Sequence, residues 1–129
     1  VLRWSALPGA SRHHWGTDID VYDSAAMPED YELQLVHRET VGDGIFASMH
    51  DWLDAQMDRR YGFYRPYESD NGGILPERWH LSYAPISKFY SDATTLSSLE
   101  RRLCESGICL LDTVLQNLEL IYKRFICVD

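Results

Sequence analysis

The run Thr17-Asp18-Ile19-Asp20-Val21-Tyr22 alternates polar and apolar residues and includes three β-branched side chains; it constrains the fold more than any other stretch. A period of two is the mark of a strand with one buried face. Ile19 and Val21 fall on one side of such a strand, and Asp18, Asp20 and Tyr22 on the other. One face therefore feeds a core while the other presents two carboxylates and a phenol. Turn chemistry precedes it, with Leu7-Pro8-Gly9-Ala10-Ser11 reading as loop and Gly16 as a second break.

The rest of the pattern builds around that strand. Asp23 to Asp30 reads as a loop containing Pro28, and Tyr31 to Val36 as a second strand. Ile45, Phe46, Met49, Trp52, Leu53 and Met57 recur at steps of three and four, predicting an amphipathic helix from Asp43 to Tyr61 that ends at Gly62. Its Met and Trp spacing is core packing. Phe63 to Tyr67, stopped by Pro66, reads as an edge strand. A turn over Ser69-Asp70-Asn71-Gly72-Gly73 leads to a strand from Arg78 to Tyr83. Beyond it the chain reads as helical: Ser97 and Glu100 make a capping-box pattern ahead of Leu99 and Leu103. After Gly107, the spacing of Leu111, Val114, Leu115, Leu118, Ile121 and Tyr122 predicts another amphipathic helix. Strands in the middle with helices outside them predict an α+β domain, a small central antiparallel sheet flanked by helices, formed by residues 1–129 as one unit.

Charge and apolar runs exclude some partners. With 12 Lys and Arg against 20 Asp and Glu, the net charge of −8 repels nucleic acid, and the nearest basic pairs, Arg59-Arg60 and Arg101-Arg102, sit beside acids. The longest apolar runs, Ile108 to Leu111 among them, are far too short for a membrane span. The chain starts at Val1 without an initiator Met, so a processed or truncated product is expected, with any targeting segment removed. Cys104, Cys109 and Cys127 match no zinc motif; buried small hydrophobes are the leading expectation and one disulfide the next.

Two segments carry chemistry: Ser11-Arg12-His13-His14-Trp15-Gly16-Thr17-Asp18-Ile19-Asp20 and Pro76-Glu77-Arg78-Trp79-His80. A catalytic zinc site needs three ligands drawn from His and Asp or Glu, an open position, and a carboxylate that is not a ligand to move a proton. His13, Asp20 and His80 can fill the first role and Glu77 the second. A separation of seven on one regular strand would point His13 and Asp20 to opposite faces. His13 is therefore expected in a loop that Gly16 turns back. The three-residue step from Glu77 to His80 poses the same problem, so Glu77 is placed in the loop before the strand and His80 on it. Trp79, Leu81 and Tyr83 then point to the other side. His14 is expected to be a neighbour and not a fourth ligand, and His37 and His50 are given no role.

The arrangement Ser-x-His-x-x-Gly-x-x-x-Asp, followed later by Glu-x-Trp-His, resembles the zinc D-Ala-D-Ala carboxypeptidases and dipeptidases of the VanX/VanY kind, relatives of the lysostaphin-type peptidases and the hedgehog domain. The likeness spans Ser11 to Tyr83. The fuller runs Pro8 to Asp18 and Tyr61 to Tyr67 look like a proteobacterial branch of the carboxypeptidases. The resemblance implies one zinc ion per chain on His13, Asp20 and His80, with Glu77 as general base and then general acid toward a zinc-activated water. It implies hydrolysis of the bond before a C-terminal D-alanine in peptidoglycan stem peptides, outside the cytoplasm, in the bacterial periplasm. Ser11 matches a substrate-binding position, and Arg65 and Tyr83 are candidates for holding the substrate carboxylate and walling the site. Two departures stand out. Family members carry an upstream Arg that contacts the reacting carbonyl, whereas here only Arg3 precedes the motif by any distance, in an unlike context, so this chain is expected to be the C-terminal part of the full family domain. Asp18 stands where the wider family has a small residue, and reads either as support for His13 or His14 or as a solvated carboxylate. The competing functions are a cross-link endopeptidase and a catalytically impaired binding module in which zinc staples the fold.

Overall fold

The computed structural model describes residues 1–57 and 62–128. Its sheet has three short antiparallel strands: β1 (Asp18–Asp20), β2 (Phe63–Tyr64) and β3 (His80–Tyr83). The order is β1-β3-β2, so β3 is central and β2 an edge, as the proline-stopped aromatic segment predicts. Asp18 pairs with Ser82, Ile19 with Leu81 and Asp20 with His80. Paired residues share a face, so Asp18, Asp20, His80 and Ser82 lie together on one side. Leu81 is buried on the opposite side.

Among the described residues five helices accompany the sheet: α1 (Ala47–Gln56), α2 (Ala84–Ala93), α3 (Leu96–Ser106), α4 (Leu111–Gln116) and α5 (Leu118–Ile121), the last running into a π-turn over Tyr122–Ile126. The α+β architecture is the expected one. A helical core forms around Leu7, Leu99, Leu103, Leu118 and Ile121, with Leu2 and Ala10 packed on it. The N-terminal loop is thereby pinned to the C-terminal helices by apolar burial, which fixes where residues 11–15 begin.

Several elements differ from expectation, each for a local reason. Tyr31 to Val36 forms no strand. Its amides at Gln34 and Val36 donate to the buried Glu39 carboxylate, which also accepts from the Tyr31 hydroxyl. Donors taken by a side chain cannot build a ladder, and Leu35 at φ +52° departs from strand geometry altogether. The α1 helix is shorter than its apolar periodicity: it starts at Ala47, and Met57 is already extended. The predicted end at Tyr61 lies outside the described residues. The cap of α3 is Thr95 with Ser98, a reciprocal pair two residues before the predicted Ser97 and Glu100. The final helix breaks at Asn117 into α4 and α5. All three cysteines are free and exposed, which overturns both the buried and the disulfide readings. Among the described residues no helix is long and apolar enough to cross a membrane.

Candidate metal centre

His13 sits in a single 3-10 turn, Arg12–Trp15, whose start is capped by the Ser11 hydroxyl accepting from the His13 amide at 3.3 Å. The turn closes on Gly16 at φ +70°, a left-handed conformation that suits glycine and sends the chain back into β1. His13 therefore faces the strand that follows it. Across the sheet, His80 opens β3 opposite Asp20. The Glu77 carbonyl accepts from the His80 amide at 3.2 Å, so a tight turn brings Glu77 onto the same side as His80 just before the strand starts. Both placements are those the spacing requires.

The three proposed ligands come together. One ligand atom from each of His13, Asp20 and His80 lies within 4.8 Å of the others. His13 Nε2 is 3.5 Å from one Asp20 oxygen, and His80 Nδ1 is 3.3 Å from the other. A tetrahedral zinc site with bonds of about 2.0–2.2 Å has edges of roughly 3.3–3.6 Å. The rings themselves are 4.6 Å apart.

Hydrogen bonding fixes which nitrogens face inward. His13 Nδ1 lies 3.1 Å from the Asp18 main-chain carbonyl, and His80 Nε2 lies 3.0 Å from Asp18 Oδ1. Both partners are acceptors, so both ring nitrogens donate. The inward nitrogens, His13 Nε2 and His80 Nδ1, then face the Asp20 carboxylate, and as neutral rings they would turn lone pairs toward it. Lone pairs facing a carboxylate at these distances require a cation between them, either protons on the rings or a metal ion. The donor set fits zinc.

In the metal-free chain the carboxylates around His80 favour its protonated form. Burial opposes charging His80, but its bonds to Asp18 and Asp20 outweigh this and hold its pKa above the ordinary value. Glu77 is mostly buried, 3.6 Å from His80 Nδ1. Burial pushes its pKa up to about 7, opposed by His80 and reinforced by the Asp20 charge. A carboxyl group poised near neutrality beside a ligand set is what a proton-transferring residue needs.

A cleft of about 620 Å³ opens over these groups, lined among others by Trp4, Ser11, His14, Gln34, Leu35, Tyr67 and Trp79, the last expected on the opposite side of the strand from His80. Tyr67 packs edge-on to the His80 ring at 4.9 Å. Ser11 borders the cleft. Arg65 and Tyr83 do not line it. Arg65 donates to the Arg78 carbonyl, contacts His50 Nδ1 and pairs with Asp54, while Tyr83 packs on Phe63. His50 is completely buried there, and burial together with Arg65 and Arg78 lowers its pKa to about 4. Arg3 bonds Asp70 at the surface. Asp18 and Arg12 are what the sequence left undecided or unread: both are buried and paired at 2.8 Å.

A family model described as VanY, D-alanyl-D-alanine carboxypeptidase, matches residues 1–86. The chain belongs to this family. The matched span contains both half-motifs and the entire sheet. An uncharacterized protein of Haemophilus influenzae (strain ATCC 51907 / DSM 11121 / KW20 / Rd) is 29% identical over 122 residues, covering 93% of this chain and 92% of that protein. No solved structure matches. Membership in the VanY family places this chain among the peptidases of carboxypeptidase type.

Proposed function

We propose that this VanY-family chain is a zinc D-alanyl carboxypeptidase acting on peptidoglycan stem peptides, with His13, Asp20 and His80 holding the metal and Glu77 moving the proton. The observation that carries the reading is the convergence of His13 Nε2 and His80 Nδ1 on the Asp20 carboxylate, with Glu77 beside them. Zinc bound there would supply a Lewis acid for the scissile carbonyl and lower the pKa of water.

The chain's own residues do the rest. Glu77 takes a proton from the attacking water and hands it to the departing D-alanine amine. Ser11 accepts from His13 and can donate its own hydroxyl hydrogen to a peptide carbonyl lying in the cleft. Tyr67 and Trp79 give the cleft an apolar wall where small D-alanine side chains can lie. Such substrates are found outside the cytoplasm, which puts the site of action in the periplasm of the source bacterium.

Metal analysis together with amino-acid release tests the proposal. One zinc per chain is expected, lost in His80→Ala. D-Alanine release from a stem pentapeptide should stop on chelation and fall by roughly 10²-fold or more in Glu77→Ala. A zinc-loaded chain that releases no amino acid from any stem peptide overturns the assignment.

A further inference from the structure

We propose that Asp18 is the shared outer partner of both metal-binding histidines, its carbonyl orienting His13 and its carboxylate orienting His80, with Arg12 locking that carboxylate in place. The inference rests on the zinc reading of His13, Asp20 and His80. It concerns a residue that stands where the sequence pattern has a small side chain.

The contacts leave the Asp18 carboxylate no freedom. Oδ1 accepts from His80 Nε2 at 3.0 Å and from Arg12 Nε at 2.8 Å. Oδ2 accepts from the Thr17 hydroxyl at 2.8 Å and the Ser82 hydroxyl at 3.0 Å. Its side chain is completely buried. Arg12, itself buried, continues the network by donating to the Tyr64 hydroxyl and Ser82 Oγ, and its guanidinium lies over the Trp15 ring at 4.5 Å. The main-chain carbonyl of the same Asp18 takes the His13 Nδ1 hydrogen at 3.1 Å. One residue on β1 thus sets the tautomer and rotation of a ligand from the preceding turn and of a ligand from the central strand.

This arrangement has a consequence for charge. A carboxylate behind a ligating imidazole raises its basicity, as outer partners of metal-bound histidines do. Here Arg12 shares the same oxygen, so the pair Asp18–Arg12 is neutral and the cleft keeps its charge balance. Asp18 is absent from the cleft lining and meets the two histidines at their outward nitrogens. It is a positioning residue.

Two measurements test this. The first is zinc affinity by competition with a chromophoric chelator, alongside the visible spectrum of the cobalt-substituted protein. Asp18→Asn keeps the shape and an acceptor for His80 and Arg12; it should weaken zinc by about 10- to 100-fold and shift the cobalt spectrum. Leu118→Ala, which loosens the helical core far from these groups, should leave affinity within about twofold. A folded Asp18→Asn chain with unchanged zinc affinity overturns the inference, as does an equal loss in Leu118→Ala. The second needs no variant and serves if Asp18→Asn fails to fold. Long-range nitrogen–proton spectra of the zinc-loaded chain should show His13 protonated at Nδ1 and His80 at Nε2, and the opposite tautomer in either ring overturns it. Failure of the unsubstituted chain to bind zinc at all is a separate result, which sinks the metal reading and this inference with it.

Discussion

Glu77 shows how a single residue can be tuned against stability for chemistry. In the metal-free chain its folded pKa of about 7 lies above the ordinary 4.5, so the fold prefers the protonated acid. The sign follows from linkage: stability is unaffected below about pH 4.5 and is lost as pH rises through 7, by an amount on the order of 3 kcal/mol. Glu77→Gln removes that penalty. Urea denaturation of the metal-free proteins should find the variant more stable than its parent at pH 8 and equal to it near pH 4, although it is inactive. A variant less stable at pH 8 would contradict the burial argument. At this scale the sequence was informative where residue type and spacing agree, as for His13, Asp20, Glu77 and His80. It was silent on Arg12 and Asp18, because burial of an Arg–Asp pair depends on partners such as Tyr64 and Ser82 that lie 52 and 64 residues away from them. Arg65 was misplaced for a related reason. An Arg on an edge strand can face either way, and Asp54 with the Arg78 carbonyl decides it.

Elements place these residues through a few special backbone positions. Gly16 at φ +70° reverses the chain between the turn bearing His13 and the strand bearing Asp20. Gly16→Ala meets no steric neighbour, so its cost is conformational, about 1 kcal/mol in chemical unfolding. Zinc affinity should fall with it, and Gly16→Asn, which tolerates the left-handed region better, should recover part of both losses. Equal stability of Gly16→Ala and the parent would show that the turn does not need this conformation. Although the alternation misassigned the buried face of β1, where Asp18 is buried and Ile19 exposed, the strands and Gly16 were readable from alternation and turn chemistry alone. Tyr31 to Val36 was not, because Glu39 captures its amides from outside the segment. Periodicity reports which face is apolar; it does not report which donors a side chain has taken. The break at Asn117 escaped the same method, since the apolar spacing runs through it unchanged.

At the level of the whole molecule, the metal site spans the turn, β1 and β3, which β-pairing and the buried Asp18 network already hold together. Among the described residues the sheet has three short strands, and the helical core lies beside it around Leu99 and Leu103. Zinc held by the turn, β1 and β3 would act as a further cross-link of the native state. Ligand linkage gives about 2.7 kcal/mol at a hundredfold excess over Kd, which for a chain of this size moves Tm upward by on the order of 10 °C. Calorimetry should find that rise in the parent and none in His80→Ala; a parent indifferent to zinc would refute the cross-link. The α+β class, the antiparallel sheet and the family were all legible in the sequence, because the two half-motifs fall on β1 and β3, which pair directly. How the helices pack was not, since several of their apolar side chains, Phe89 and Leu120 among them, end up exposed.

Whether Glu77 and the His13–Asp20–His80 centre remove a terminal D-alanine is read directly by mass spectrometry of defined muropeptides after incubation with the zinc-loaded chain. A pentapeptide should be shortened by one alanine residue, with no such product formed by Glu77→Gln. An unchanged pentapeptide, or the same product from Glu77→Gln, would contradict that activity.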